Sequence, residues 1–337
     1  MIKSIISGVG HYVPEKVVTN HDLSKMMDTT HEWIVERSGI EERRFAEKGK
    51  DTTASLAYEA SKNAIADAGL KPSDIDFIIF ATLSPDYYFP GVGVQLQEFL
   101  GIGTIGALDV RNQCSGFIYA LSVADKFIQT KTYKNILVVG SEIHSYGIDL
   151  TTRGRAVSVL FGDGAGAVVV SGTQEEGRGI LSTRMHSEGK YAEELTMLAP
   201  GNKYKWANKV EDLAEIKDHH ELWFPHMNGQ HVFKNAIVRF PETIMDVLQA
   251  NHKTPKDLDL LITHQANLRI SQFVQNILKL DDNQVFNNIQ KYGNTTAATI
   301  PIALSEAKAF GKIKERDLIC LAAFGSGFTW GSVLINW

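Results

Sequence analysis

SDIDFIIFA (73–81) and KDLDLLITH (256–264) are one pattern written twice, 183 residues apart. In the first, an acidic lead runs into the continuous apolar stretch DFIIFAT (76–82), the pattern of a strand buried on both faces. The same offset relates Ala120-Leu121-Ser122 and Ala124 to Ala303-Leu304-Ser305 and Ala307, and KNILVVG (134–140) matches RDLICLA (316–322) at 182. Amphipathic segments resemble one another in any α/β protein, but that does not produce a shared offset, so the register argues for duplication. Two similar halves follow, residues 1–175 and 176–337.

Outward from these strands, Thr52-Thr53 precede a segment with Ala57, Ala60, Ala64 and Ala68 on one face, stopped by Gly69. This predicts a capped helix, and its alternation with strands places the chain in the α/β class. Residues 190–228, including APGNKYKWANKVEDLAEIKDHHELWFPH, are polar, irregular and without a counterpart in the repeat. Such a length exceeds an ordinary connection and predicts a functional loop or flap.

A chain of 337 residues, 44% hydrophobic and 22% charged, is long enough to bury a large core. Its net charge of -5 lacks the basic field of a nucleic-acid binder, so nucleic acid is not an expected partner, although a local basic patch can still meet an acidic one. Two cysteines supply no disulfide framework and fit a reducing cytosol. No run approaches the roughly 18 apolar residues that span a bilayer, which predicts a cytoplasmic protein without a membrane partner.

Cys114 lies in LDVRNQCSGFIYALSVADKFI, where a short apolar strand at 107–110 leads into a helical pattern from about Ser115. A thiol at a helix N-terminus is activated by the dipole and the free N–H groups; a packed core cysteine fits the local pattern equally. Cys320, inside DLICLAAF, fits a core position. His264 ends an apolar strand and Asn294 precedes a helix-like run in KYGNTTAATIP, so a duplicated architecture can bring both to Cys114. FGDGAGAVVV (161–170) is followed by a strand rather than a helix, which makes it a tight turn and not a dinucleotide site. His219, His220 and His226 lack the carboxylate or cysteine spacing of a metal site, and none is expected.

With EWIVERSGIEER (32–43), DVRNQCSGFIYALSVAD (109–125), FGDGAGA (161–167), VFKNA (232–236), HQANLRI (264–270), YGNTTAA (292–298) and AFGSGFTWGS (323–332) in that order, the chain resembles β-ketoacyl-acyl carrier protein synthase III over nearly its whole length. The resemblance implies a thiolase-like five-layered α-β-α-β-α sandwich of two βαβαβαββ halves, a homodimer, and a catalytic triad of Cys114, His264 and Asn294. It implies that Cys114 takes an acyl group from acyl-CoA, the oxyanion resting on the backbone N–H groups of Cys114 and Ser326. His264 and Asn294 then donate to the thioester oxygen of malonyl-acyl carrier protein as CO₂ leaves. No metal or organic cofactor is implied, the CoA thioester being substrate.

By the same resemblance Thr29, Trp33, Arg37 and Asn267 contact CoA together with either Arg153 or Arg155, between which the count along TTRGRAVSVLFGDG does not choose. Phe89, Phe161 and Phe324 are implied in the acyl pocket, Phe89 from the partner subunit, which favours short primers such as acetyl-CoA. Lys234, Arg239 and Arg269 are candidates for docking the acidic carrier protein, Arg239 fitting an ordinary solvated charge as well. Ser326 stands where the family often has glycine, and the 190–228 loop is longer than in its short members. Competing readings are a condensing enzyme of specialised lipid or polyketide synthesis and a non-catalytic partner subunit. A degradative thiolase would carry a second catalytic cysteine in the turn occupied here by Phe324-Gly325-Ser326-Gly327.

Overall fold

Runs of Ile, Val, Leu and Ala become strands covered by helices on both faces, because such strands have no polar face to give to water. The computed structural model describes residues 2–203 and 222–337. One sheet has the order β1 (Lys3–Tyr12), β7 (Gly164–Thr173), β6 (Asn135–Glu142), β4 (Phe77–Ala81) and β5 (Gly106–Val110). The other has the order β11 (Leu260–Thr263), β12 (Leu318–Gly325), β13 (Thr329–Asn336) and β8 (Gly179–Ser187). Strand β4 runs parallel to β5 and β6, while β7 is antiparallel to β6 and β1. Correspondingly, β11 runs parallel to β12, and β13 is antiparallel to β12 and β8.

The second sheet therefore repeats the first without its β5, of which a single bridge between Leu261 and Val285 remains. The 183-residue offset maps the first residue of β4, Phe77, onto the first residue of β11, Leu260. Likewise helix α5 (Gly116–Gln129) maps onto α10 (Thr299–Ala309), and β6 onto β12.

Helices α5 and α10 fill the space between the sheets. Phe117, Ile118, Leu121, Ile300, Ala303 and Leu304 share one core with Ile79 and Val138 of the first sheet and Ile262 and Leu321 of the second. Residues of alternate parity, Ile78 and Phe80 on β4, face an outer layer of α3 (Thr53–Asp67) and α4 (Val92–Phe99). On the far side Leu261, Cys320 and Ala322 face α7 (Gly229–Gln249) and α8 (Leu268–Leu278). This is the five-layered arrangement expected, and it puts Cys320 in an apolar core.

The predicted cap and stop of α3 are present: Thr52 accepts from the Ser55 N–H, and Gly69 takes φ +69°. The alanine face lets α3 lie directly on β1, where a Cβ at Gly8 would come within 2.2 Å of the Ala64 carbonyl oxygen. Beside the sandwich, β2 (Val17–Thr19) and β3 (Glu42–Arg44) pair next to the short helices α1 (Asn20–Leu23), α2 (His31–Ser38), α6 (Arg155–Ser158) and α9 (Ile289–Tyr292). Strands β9 (Leu195–Thr196) and β10 (His226–Met227) form the base of the long loop. His226 lies in β10, whereas His219 and His220 fall outside the described residues. No described helix is long and apolar enough to cross a membrane.

Candidate active site

Cys114 stands in a tight turn, Gln113–Ser115, between β5 and α5. Gln113 has φ +46°, and Thr296, its counterpart at the repeat offset, has φ +49°. A non-glycine residue is rarely held there, so both halves use one strained turn before their central helices. In the second half the position matching Cys114 is Ala297; only the first copy carries a nucleophile.

The sulfur is nearly closed off, with Cys114 7% exposed. Backbone N–H groups of Ser326 and of Cys114 itself are directed at Sγ. Gly325 makes this approach possible, since a Cβ there would lie 2.4 Å from the cysteine Cβ and 2.9 Å from Sγ. Burial pushes the thiol up to about 12; the Glu142 carboxylate adds to the rise and the two N–H groups oppose it. The expected lowering by the helix N-terminus is thus reversed, because withdrawal from water penalises the thiolate more than two backbone donors stabilise it.

His264 follows β11, its N–H bonded to the Ala322 carbonyl at 2.8 Å, and is buried. Its Nδ1 lies 2.7 Å from Thr299 Oγ1, a hydroxyl that also lies 2.9 Å from the Thr296 carbonyl. The other ring nitrogen, Nε2, is buried and has no hydrogen-bond partner among the described residues. Burial, with the neighbouring His144, pushes this imidazole down to about 3, so it is neutral at rest.

Asn294 is buried and bridges to Phe161, and its Oδ1 accepts from the Thr296 N–H at 2.8 Å. That bond orients the amide so that Nδ2 is the group left to donate. Segment 294–299 therefore holds both polar side chains, and Cys114's turn packs on it, a Cβ at Gly116 lying 3.7 Å from Ala297 Cβ. Strand ends of both halves converge here.

Sequence reasoning missed a buried polar layer below these groups. Glu142, at the end of β6, accepts from Thr82 Oγ1 at 3.1 Å, Ser84 Oγ at 2.5 Å and the Leu83 N–H at 3.2 Å, and burial pushes it up to about 7. His144 Nε2 lies 2.6 Å from Thr296 Oγ1 and its ring 4.6 Å from that of Phe161. Asp163 accepts from the N–H groups of Ala46, His144 and Ser145. The strand pairing sets β6 and β12 at an offset of 183, one more than the 182 read from KNILVVG and RDLICLA, so Glu142 is the counterpart of Gly325, a correspondence the sequence register did not give.

Trp33 on α2 has two guanidinium groups near its ring, Arg37 at 4.3 Å and Arg155 at 5.4 Å from the centroid. Arg155 is held by the Asp28 carbonyl at 2.5 Å and carboxylate at 3.2 Å. Arg153 turns the other way, to Asp149 at 2.6 Å and over Phe224 at 5.5 Å. Asn267 caps α8 and donates to the Arg37 carbonyl at 2.8 Å, and Thr29 Oγ1 is buried without a hydrogen-bond partner among the described residues.

Residues 108–189 match the model of the 3-oxoacyl-[acyl-carrier-protein (ACP)] synthase III family, and residues 248–337 match its C-terminal model. The β-ketoacyl-[acyl-carrier-protein] synthase III of Caldanaerobacter subterraneus subsp. tengcongensis is 45% identical over 332 residues, 98% of this chain and 97% of that one. The chain belongs to the synthase III family. Among solved structures, the synthase III of Aquifex aeolicus superposes with a TM-score of 0.88 at 42% identity over the whole of both chains. The priming β-ketosynthase of the R1128 polyketide pathway gives 0.89 at 29% identity, over 99% of this chain and 96% of that one.

The remaining expected residues of this synthase III chain are dispersed. Lys234 and Arg269 are exposed on α7 and α8, with Arg269 5.8 Å over the Phe233 ring, and neither has an ion pair among the described residues. Arg239 differs, being committed to Glu188 at 2.9 Å and Glu242 at 2.8 Å. Phe161 is buried beside His144, while the ring neighbours of Phe324 are Phe240, Phe328 and Trp330. Phe89 is 81% exposed, so it packs into no pocket of its own chain.

Proposed function

We propose that this synthase III loads an acyl group from acyl-CoA onto Cys114 and condenses it with malonyl-acyl carrier protein, giving the 3-oxoacyl-carrier protein that starts a fatty acid. The carrying observation is Sγ beneath two backbone N–H groups, with the unpartnered Nε2 of His264 and the free amide of Asn294 held by the segment beside it. On attack, the thiol proton passes to His264 Nε2 as the S–C bond forms, and the thioester oxygen rests on the N–H groups of Cys114 and Ser326. CoA leaves as thiolate and takes a proton from water. The protonated Nε2 and Asn294 Nδ2 then both donate to the malonyl thioester oxygen, and the incoming carboxylate offsets the imidazolium charge.

Loss of CO₂ leaves an enolate under these donors, each worth about 10²–10³ in rate at comparable sites. Attack on the acyl-Cys114 thioester releases the thiolate, which recovers its proton from Nε2. The carbanion comes from decarboxylation, so the sequence of steps calls for no metal or organic cofactor. Trp33, Arg37 and Arg155 supply an aromatic face and cations for the adenine and phosphates of CoA, with Thr29 and Asn267 adjoining. Lys234 and Arg269 supply the basic patch for the acidic carrier protein.

A second copy of the chain completes the enzyme: β5 is an edge strand carrying exposed Leu108, and the start of α4, between exposed Phe89 and Val94, is bonded to the neighbouring Asp109. The reactive free thiol suits the cytoplasm. In the test, radiolabelled acetyl-CoA labels the wild type and Cys320→Ala but not Cys114→Ala, and malonyl carrier protein then chases the label into product. A labelled Cys114→Ala protein overturns the assignment.

A further inference from the structure

Ser326 carries a hydroxyl that the steps above do not use. Its N–H is directed at the Cys114 sulfur, its carbonyl accepts from Thr329 Oγ1 at 3.0 Å, and its Oγ donates to the Leu195 carbonyl in β9. Thr329 Oγ1 in turn lies 2.7 Å from Ser115 Oγ, on the residue after the nucleophile. Strand β9 is itself tied down: Leu195 pairs with Met227, the Glu194 carbonyl accepts from the Asn228 N–H at 2.8 Å, and the Glu194 carboxylate meets His231 Nδ1 at 2.9 Å. A single chain of bonds thus runs from the start of α7 through the β9–β10 hairpin to the turn over Cys114.

We propose that Ser326 is a positioning residue, whose bond to Leu195 fixes the peptide plane of the oxyanion-hole N–H and makes Cys114 reactivity depend on the seating of the β9–β10 hairpin. Hydrogen bonds weaken steeply with angle, so a donor aimed at a developing oxyanion must not swing. Glycine at this place would keep the N–H but leave the turn free to rotate. With Oγ held by β9 and the carbonyl held by Thr329, rotation about Ser326 breaks one bond or the other. The inference rests on the site reading above only in giving that N–H to the substrate oxygen.

The test compares Ser326→Ala, which loses the donor, with Ser326→Thr, which keeps it, and with His231→Ala, which loosens the hairpin at a distance. Two rates are measured: Cys114 alkylation by iodoacetamide at pH 8, and acylation by acetyl-CoA over a range of concentrations. Ser326→Ala should alkylate several-fold more slowly and acylate about tenfold more slowly at saturation, with KM within about twofold of wild type. Ser326→Thr should restore both rates. His231→Ala should give a partial loss, and the double variant with Ser326→Ala should be no slower than Ser326→Ala alone.

Wild-type rates in Ser326→Ala, or additive losses in the double variant, overturn the proposal. If Ser326→Ala does not fold, the threonine and His231 variants still read the coupling. Alkylation uses no thioester, so slower alkylation of Ser326→Ala beside a wild type that acetyl-CoA fails to acylate would preserve the positioning role and defeat the substrate reading.

Discussion

At the scale of single residues, the resting site stores its reactants neutral. Burial raises the Cys114 thiol and lowers the His264 imidazole, so at rest the proton is on sulfur and the imidazole is neutral. Glu142 modulates this from below, with a carboxyl pushed up to about 7, against roughly 4.3 when unfolded. The folded state therefore binds this proton more tightly than the unfolded one. Its contribution to stability is greatest below the unfolded value and is lost as pH rises through about 7. Glu142→Gln should remove that slope, so the variant gains on wild type between pH 5 and pH 8 by about 1–3 kcal/mol. Thermal melts at the two pH values measure it, and parallel shifts of both proteins would refute it. The same variant should alkylate Cys114 faster at pH 8, because the neighbouring negative charge is gone.

At the scale of elements, the turn from Thr152 to Ser158 settles which arginine faces Trp33. A three-residue 3₁₀ turn and the first turn of α6 send side chains two positions apart in different directions: Arg153 back to Asp149, Arg155 across to Asp28 and Trp33. Motif counting along the chain could not decide this, since it has no information on how the turn is wound. Arg155→Ala should raise KM for acetyl-CoA about tenfold with little change in kcat, consistent with loss of a stacked cation worth about 1 kcal/mol or more. Arg153→Ala should leave KM within about twofold, its partner Asp149 keeping its bonds to Thr151. Initial-rate measurements decide between them, and the reverse order of effects would reassign the site.

At the scale of the whole molecule, β5 is an edge strand with Leu108 exposed, and the start of α4, between exposed Phe89 and Val94, is bonded to its Asp109 through the N–H groups of Val92 and Gly93. Leu108→Arg should lower the dimer fraction in sedimentation and lower activity with it, because a charge would be buried across the new sheet edge. On the proposed dimer, Phe89→Ala should move preference toward longer or branched primers, read by mass spectrometry of products from a panel of acyl-CoAs. Dimeric Leu108→Arg, or a wild-type preference for primers of about eight carbons or more, would count against the respective halves of this prediction. The duplicated α/β plan was legible because strands buried on both faces leave continuous apolar runs, and a constant offset survives wherever both copies must fill the same layers. Local patterns left Cys114 even with a core cysteine and gave His264 little weight; the family resemblance singled out these two and Asn294, and the structure packs their segments together, Gly116 on Ala297 and His264 on Thr299. The missing fifth strand, the raised thiol, the lowered imidazole of His264, the buried Glu142 and the bond from Ser326 to Leu195 were not legible. Each depends on which atoms from distant parts of the chain exclude water from one another, and desolvation and hydrogen-bond direction are properties of that packing rather than of residue order.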